Sequence, residues 1–501
     1  MKVFLLSALV SLSTLAARAA YSPEEILIKD INILDVNSKR VLPKQNVLIR
    51  NGKIEKISRR KIEGTSAKVV QGKGKYLIPG LIDVHAHVID SHSPNQRPAA
   101  FQNDEFQLLL INGVTTIRNM KSFKRQLTLR DQIKSRDIFA PRMSVASPAL
   151  DNRKDREDIN DLPPTIHYFC DVDWSNCTFR DLEGAEQLVS RFKSEGFDSI
   201  KIREPVAADM LYPLVEIVKK YNMPVVGHVF DGAALEEVFV SDLFDSVEHI
   251  GQLLEILERD ESPLKKEPHF SNEAAHWSMV RAHYLDPRKT EHLTKAAGNG
   301  FKGYLVPTLS VFEDIVRSAS GKRDISAEPN HEYRDVCWIK KTQDLANADL
   351  EFFKDYSSFV GPGTIPKAFE KVQKLFGAFH KRGVKFAIGT DFGDGGLVPG
   401  VSMHDEMMLL SQSGLSNWDV LTSATLHGAK LINEPNLGNV RTGYLADLVI
   451  LDQNPLENLN HIRKIHAVIR DGVLLDYASI QQIKSEVRIR AKTLPCAGSS
   501  K

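Results

Sequence analysis

Short apolar runs rich in Val and Ile recur between polar residues in "ILIKDINILDV" (26–36), "QNVLIRNGKIEKISR" (45–59) and "KVVQGKGKYLIPG" (68–80). Runs of this kind predict short strands, and Asn51-Gly52 supplies a hairpin turn between two of them. The texture returns late in the chain, in "ADLVILDQNP" (446–455) and "AVIRDGVLLDY" (467–477), where Asp471-Gly472 is the matching turn. The stretches "VLIRNGKI" and "AVIRDGVL" read almost as copies. Two β-rich ends flanking a long middle predict one small β-sandwich domain built from residues 21–78 and 435–485, with 486–501 left as a C-terminal tail.

The middle, residues 79–434, follows a different rhythm. Eight short apolar runs occur in order: "GLIDVHAHV", "GVTTIRNM", "PRMSVASPAL", "FDSIKIRE", "MPVVGHVF", "FDSVEHIG", "GYLVPTLSV" and "VKFAIGTDFG". Between most of them lie helical patterns such as "EQLVSRFKSEG", "ADMLYPLVEIVKKY" and "KAFEKVQKLFGAFHKRG". Strand and helix alternating eight times predict an α/β fold, a closed (β/α)8 TIM barrel. An open doubly wound sheet is the rival, but no glycine-rich phosphate loop follows any of the strands. Segments 151–183, 252–300 and 312–366 are too long for plain connections. Each follows a barrel strand, on the face where such barrels keep their active sites.

Composition changes this picture only at the start of the chain. The 501 residues are 42% hydrophobic and 26% charged, which is ordinary globular usage. A net charge of +1 with no basic block argues against nucleic acid as the partner. Residues 1–20, "MKVFLLSALVSLSTLAARAA", combine an early Lys2, an apolar core and Ala17-Arg18-Ala19 as a small-x-small cleavage site. They read as a secretory signal peptide, since the apolar run falls short of the about 20 residues that span a bilayer. The mature protein is expected to be exported, to periplasm or extracellular space, and free of the membrane. Four cysteines fit export without forming a disulfide framework. Cys170 and Cys177 are close enough to pair, and free thiols fit equally well. Asn176-Cys177-Thr178 is a weak glycosylation sequon.

Candidate chemistry begins with His85 and His87 in "GLIDVHAHV". Residues i and i+2 of a strand face one side, so both imidazoles, with Asp83 beneath them, point into one space. Alone, such a pair is as easily explained by satisfied core histidines. Further polar residues then recur near strand ends: Lys201 on the fourth strand, His228 on the fifth, His249 on the sixth and Asp391 on the eighth. Each has an innocent reading: a hydrogen-bonded core histidine, Lys201 paired with Glu204 or Asp198, Asp391 capping a turn. Together they converge on the barrel mouth, and leaving each unsatisfied there would cost roughly 1–3 kcal/mol. Divalent metal explains them jointly. Imidazole and carboxylate suit Zn²⁺, with Mn²⁺, Co²⁺ or Fe²⁺ as substitutes.

Lys201 does not fit a simple cation site, and at this residue the chain resembles a family. The set His-x-His, Lys, His, His, Asp on strands one, four, five, six and eight resembles the amidohydrolase superfamily. Within it, the chain is similar to an exported branch of metal-dependent prolidases, imidazolonepropionase-like proteins and ochratoxin-type amidases. The motifs "YLIPGLIDVHAHV", "NGVTTIRNM", "HDEMMLLSQSGLSNWDVLTSATLHGAKLI" and "GYLADLVILDQNPLENL" carry the likeness over nearly the whole mature chain. The resemblance implies two divalent metals, expected to be zinc, and a carboxylated Lys201 bridging them. His85, His87 and Asp391 would hold the buried ion, and His228 and His249 the exposed one. It further implies hydrolysis by a metal-bridging hydroxide, with Asp391 as the catalytic proton carrier.

The likeness to prolidases points to an amide or peptide bond, in a dipeptide or an N-acyl amino acid. Arg203, two residues beyond Lys201, shares its face and is the candidate for binding a substrate carboxylate, although a structural ion pair explains it equally. Tyr304, on strand seven, and His167-Tyr168, in the first insertion, are further pocket candidates. His404 reads as a cap or packing residue. Alternatives remain: a mononuclear deaminase or cyclic-amide hydrolase, or a non-catalytic binding protein. Deaminases usually place a glutamate three residues beyond the strand-five histidine, where this chain has Asp231. Non-catalytic relatives lose ligands that this chain keeps. The family often forms symmetric assemblies, so a homo-oligomer is expected.

Overall fold

A computed structural model describes residues 23–88, 99–152, 163, 165–171, 176–203, 206–229, 232–249, 251–266, 274–355, 364–393 and 395–493. The segment read as a signal peptide lies outside them, as do Glu204 and Asp231.

The N-terminal strands are β1 (Ile26–Asp35), β2 (Arg40–Arg50), β3 (Lys53–Ser58), β4 (Lys68–Gln71) and β5 (Tyr76–Pro79). Next come β6 (Leu81–Ala86), β7 (Val114–Asn119), β8 (Arg142–Asp151), β9 (Tyr168–Cys170), β10 (Asn176–Phe179) and β11 (Ser199–Ile202). The remainder are β12 (Val225–Gly227), β13 (Ser246–Glu248), β14 (Tyr304–Val306), β15 (Lys385–Phe386), β16 (Leu448–Leu451), β17 (Ile465–Arg470) and β18 (Val473–Leu475).

Both chain ends build one sheet, ordered β18-β17-β16-β5-β1-β2-β3 with β4 also on β1. The near-copies lie on its two wings, in β2–β3 and β17–β18. Ile26, Ile33, Val47 and Ile49 from one wing share an apolar cluster with Leu448, Ile450 and Ile469 from the other. The β-sandwich is therefore a single sheet folded over its own core. The boundary expected at residue 485 falls inside a helix, Tyr477–Thr493. That helix continues because Val487 and Ala491 are buried, and Arg490 pairs with Asp104 at 2.7 Å on helix Ala99–Ile111.

Strands β6, β7, β8, β11, β12, β13, β14 and β15 pair in parallel in that order. The sheet closes between the first and last: Val84 N–H donates to the Ile388 carbonyl (2.8 Å), Asp391 N–H to His85 (2.7 Å) and His87 N–H to Phe392 (2.9 Å). A helix follows every strand, so the result is the expected (β/α)8 barrel.

The long insertions add structure at the strands' C-terminal ends. In the first, β9 and β10 form a hairpin whose β10 pairs with the tip of β8, and Cys177 sits opposite Cys170 in its register. These two cysteines form a disulfide, which resolves the alternative left by their spacing. The later insertions are helical, including Ala274–Arg281, Pro287–Gly300 and Val336–Asp355. Among the described residues no helix is long and apolar enough to cross a membrane.

Candidate metal centre

His85 lies in β6 and is fully buried; its Nδ1 is 2.7 Å from Glu248 Oε2. A carboxylate there fixes the proton on Nδ1 and leaves the Nε2 lone pair directed away from Glu248. His85 Nε2 has no hydrogen-bond partner and lies 3.3 Å from Asp391 Oδ1. His87 Nε2 is 3.0 Å from the same oxygen, and His249 Nδ1 is 3.9 Å from Asp391 Oδ2. The rings of His85 and His249 stand 4.6 Å apart, and those of His228 and His249 4.5 Å. His85, His249 and Asp391 each offer a ligand atom within 4.8 Å of the others.

Backbone geometry explains how short strands deliver these groups. His249 (φ +64°), Thr308 (φ +50°) and Asp391 (φ +60°) all adopt the left-handed region in the segments that follow β13, β14 and β15. For a β-branched threonine that conformation is strained, and three such residues at one barrel mouth mark a constrained site. At β13 the strained turn lets consecutive residues serve the site: Glu248 bonds His85, and His249 reaches Asp391. Thr308 Oγ1 lies 2.8 Å from His249 Nδ1. Its place is set by the next helix, Leu309–Ala319, whose Leu309 and Ser310 N–H groups donate to buried Glu406 at 2.9 and 2.7 Å.

The electrostatics favour ligand forms. Burial pushes the imidazolium forms of His85 and His228 well out of reach, aided by Lys201, and lowers His249 to about 4 against the opposing pull of Asp391. Burial lowers the Lys201 amine to about 7, with Glu248 and Asp391 opposing and Arg203 and Arg118 reinforcing the shift. Burial works against the Asp391 carboxylate, yet the His87 bond and the charges of His249, His87 and Lys201 outweigh it and hold its pKa below the ordinary value. The imidazoles of His85, His228 and His249 biased towards the neutral form, a carboxylate biased towards the ionised form and a readily deprotonated amine suit the donor set a divalent cation needs. The orphaned Nε2 of His85 is the specific sign that a group is wanted there.

All six expected ligands thus sit around one space. Asp83 lies beneath them, accepting from Thr390 Oγ1 (2.7 Å) and from the backbone N–H groups of His85 and Thr390 (3.1 Å each), so it ties β6 to the segment bearing Asp391. Burial raises Asp83 to about 7. Asp198 does not pair with Lys201; it accepts from Arg130 and from Val145 N–H. Arg203 is close enough to weigh on Lys201, His228 and His249.

Tyr304 is not at the site. It opens β14 at the N-terminal end of the barrel, under Lys385 and 5.3 Å from the His427 ring, because the residues that reach the mouth are those at a strand's other end. His167 pairs with Asp181, the N-cap of helix Leu182–Glu195, at 2.8 Å. His404 is a packing residue whose Nε2 bonds the Asn112 carbonyl at 2.9 Å.

Sequence reasoning missed Glu248, Arg118 and Thr308. Arg118 is fully buried and donates to Glu248 Oε1 (2.6 Å), to the Val84 carbonyl (2.6 Å) and to Ser246 (3.2 Å). Ser246 Oγ also bonds Glu248. The available signal was the one arginine in "GVTTIRNM" and the one glutamate in "DSVEHIG", opposite charges inside stretches read as barrel strands.

A barrel of this topology with such a donor set at its mouth is the architecture of metal-dependent hydrolases. The model of the Amidohydrolase family matches residues 76–291 and 361–475, and the chain belongs to that family, whose members hydrolyse carbon–nitrogen bonds. Among curated relatives, the dihydroorotase of Pyrococcus abyssi (strain GE5 / Orsay) is 30% identical over 102 residues, which is 20% of this chain and 24% of that protein. The chain thus matches about a quarter of the length of that relative. Among solved structures, a bottromycin amidohydrolase superposes with a TM-score of 0.69 at 20% identity, covering 95% of this chain and 93% of the other. A Xaa-Pro dipeptidase with bound methionine in its active site gives 0.62 at 19% identity, covering 90% and 100%. At these identities the likeness speaks for the fold.

Proposed function

We propose that the protein is an exported, binuclear metal-dependent amidohydrolase that cleaves the amide or peptide bond of a dipeptide or an N-acyl amino acid. The observation that carries the reading is the convergence of buried Lys201 with four histidines and Asp391 at one barrel mouth. A single-metal site leaves the lysine without a task. The solved neighbours named for dipeptidase and amidohydrolase activity support the choice of bond.

His85, His87 and Asp391 would hold one ion, His228 and His249 the other, and Lys201, carboxylated by CO₂, both; zinc fits the donors. When bound, such ions supply Lewis acidity, lowering the pKa of water and polarising a carbonyl. The remaining steps belong to the chain. Asp391, held ionised, accepts the proton of the attacking water and delivers it to the departing amine nitrogen. Arg203 receives the free carboxylate of the substrate as a bidentate partner. Glu248 and Arg118 hold His85 in one tautomer.

The test is metal content per chain on protein purified without chelators, with hydrolysis of a library of dipeptides and N-acyl amino acids. About two divalent ions per chain, and turnover lost in Lys201→Ala and Asp391→Asn, is the expected result. One ion with ammonia released from cyclic amines would replace the reading by a deaminase. A folded protein that takes up no metal from Zn²⁺ and bicarbonate and turns nothing over would leave a binding protein.

A further inference from the structure

Glu406 is fully buried on helix Val401–Gln412, and the chemistry proposed for the metal centre leaves it unused. Its two carboxyl oxygens accept the N–H groups of Leu309 and Ser310, at 2.9 and 2.7 Å. These are the first two N–H groups of helix Leu309–Ala319, which find no partner within the helix itself. Their usual partner is the side chain of the residue just before the helix, often a threonine, held in extended backbone conformation. Thr308 has that place and does not act as a cap. Its backbone is left-handed (φ +50°, ψ +46°), and its side chain accepts no hydrogen bond from the helix. Ser310 cannot stand in, since its own hydroxyl bonds the Thr390 carbonyl at 3.2 Å.

The Thr308 hydroxyl is turned to the metal centre instead, 2.8 Å from His249 Nδ1. A hydroxyl can donate or accept, so this contact orients the imidazole in either tautomer. The two arrangements compete. With the helix end bare, Thr308 would gain a hydrogen bond and shed backbone strain by swinging into the ordinary capping conformation. Its hydroxyl would then leave His249. A carboxyl group supplied from another helix removes that gain, because the N–H groups are already satisfied.

We propose that Glu406 is a positioning residue of the metal centre: by capping helix Leu309–Ala319 in place of Thr308, it keeps the Thr308 hydroxyl on His249. The inference rests on the reading of His249 as a metal ligand, and the experiment separates the two.

Histidine ring-nitrogen NMR signals are recorded on the metal-free full chain for wild type, Glu406→Gln, Thr308→Ala and the double variant, with Zn²⁺ affinity measured by chelator competition. The glutamine keeps the shape but turns an amide NH₂ towards a backbone N–H, so one cap bond is lost. Glu406→Gln should move the His249 signals in the same direction as Thr308→Ala, and Zn²⁺ affinity should fall about tenfold or more in each. In the double variant the loss should be clearly smaller than the product of the single losses, since both act through one contact. Glu406→Asp, which draws both oxygens back by one methylene, takes over if the glutamine variant fails to fold. Ile450→Ala, a core truncation in the sheet of the chain ends, lowers stability away from this path and should leave the His249 signals in place. Wild-type His249 signals in a folded Glu406 variant, losses that multiply, or an equal shift in Ile450→Ala would each overturn the inference. A wild type that takes up no Zn²⁺ would overturn the metal reading, while the metal-free signals alone would still show whether Glu406 holds Thr308 on His249.

Discussion

At the scale of single residues, Glu248 shows how a group outside the ligand set governs it. It fixes the tautomer of His85 and neutralises buried Arg118. Glu248→Gln keeps the shape but offers a weaker, neutral acceptor to both. Metal affinity measured by chelator competition should fall about 10- to 100-fold, as is typical when such supporting groups are changed. Unchanged affinity in a folded variant would show that the orientation of His85 is set by packing alone. His404 gives a pH signature that is independent of metal. Burial lowers it from 6.5 to about 3, so the folded protein keeps it neutral where the unfolded chain protonates it. Protons therefore favour unfolding: the contribution to stability is full above pH 6.5 and declines towards pH 3, by about 1.4 kcal/mol per unit. His404→Gln retains a donor for the Asn112 carbonyl and should shift the acid-unfolding midpoint to lower pH, followed by circular dichroism. An unmoved midpoint would assign acid sensitivity to other groups.

At the scale of elements, the site depends on strands that approach each other very closely. Gly227 ends β12 with φ +136°, and a Cβ there would lie 1.8 Å from the Ile202 carbonyl oxygen on β11. Gly227→Ala must part these strands, which carry His228 and Lys201, so about 3 kcal/mol of stability or more should go, together with metal retention. Denaturant melts with metal analysis test this; a stable variant with intact metal content would mean that β11 and β12 are more yielding than their contact suggests. The same elements show what the sequence made legible. Strand count, barrel closure and the placing of His85, His87, Lys201, His228, His249 and Asp391 followed from apolar runs ending in polar residues. Tyr304 misled because a strand has two ends, and hydrophobic pattern alone does not say which end a residue stands at. Glu248 was hidden by the rule that adjacent strand residues face opposite sides, a rule that the left-handed turn at His249 suspends. Thr308 was hidden likewise, since backbone strain leaves no mark on composition.

At the scale of the whole molecule, a buried carboxylate is among the links that fasten the sheet built from the chain ends to the barrel. Asp447, immediately before β16, accepts from Arg142 Nε at 2.6 Å and from Asp471 N–H at 2.7 Å, while its own carbonyl accepts from Gly80 N–H at 2.8 Å, at the crossing from β5 to β6. Arg142 opens β8 at the barrel's N-terminal end and also reaches Asp471 at 3.0 Å, in the β17–β18 turn. The Asp447 side chain is wholly buried. Removing its partner strands a charge, and breaking such a pair costs about 3–5 kcal/mol, whereas replacing both partners with neutral groups costs much less. Arg142→Met should therefore destabilise strongly, and Arg142→Met with Asp447→Asn should recover more than about 1 kcal/mol of that loss in a double-mutant cycle. Because Arg142 and Asp447 belong to different units, the wild type should melt in one transition, and Arg142→Met should separate the sheet's melting from the barrel's. Additive losses with a single transition in every variant would instead place the coupling in the apolar contacts between the two units.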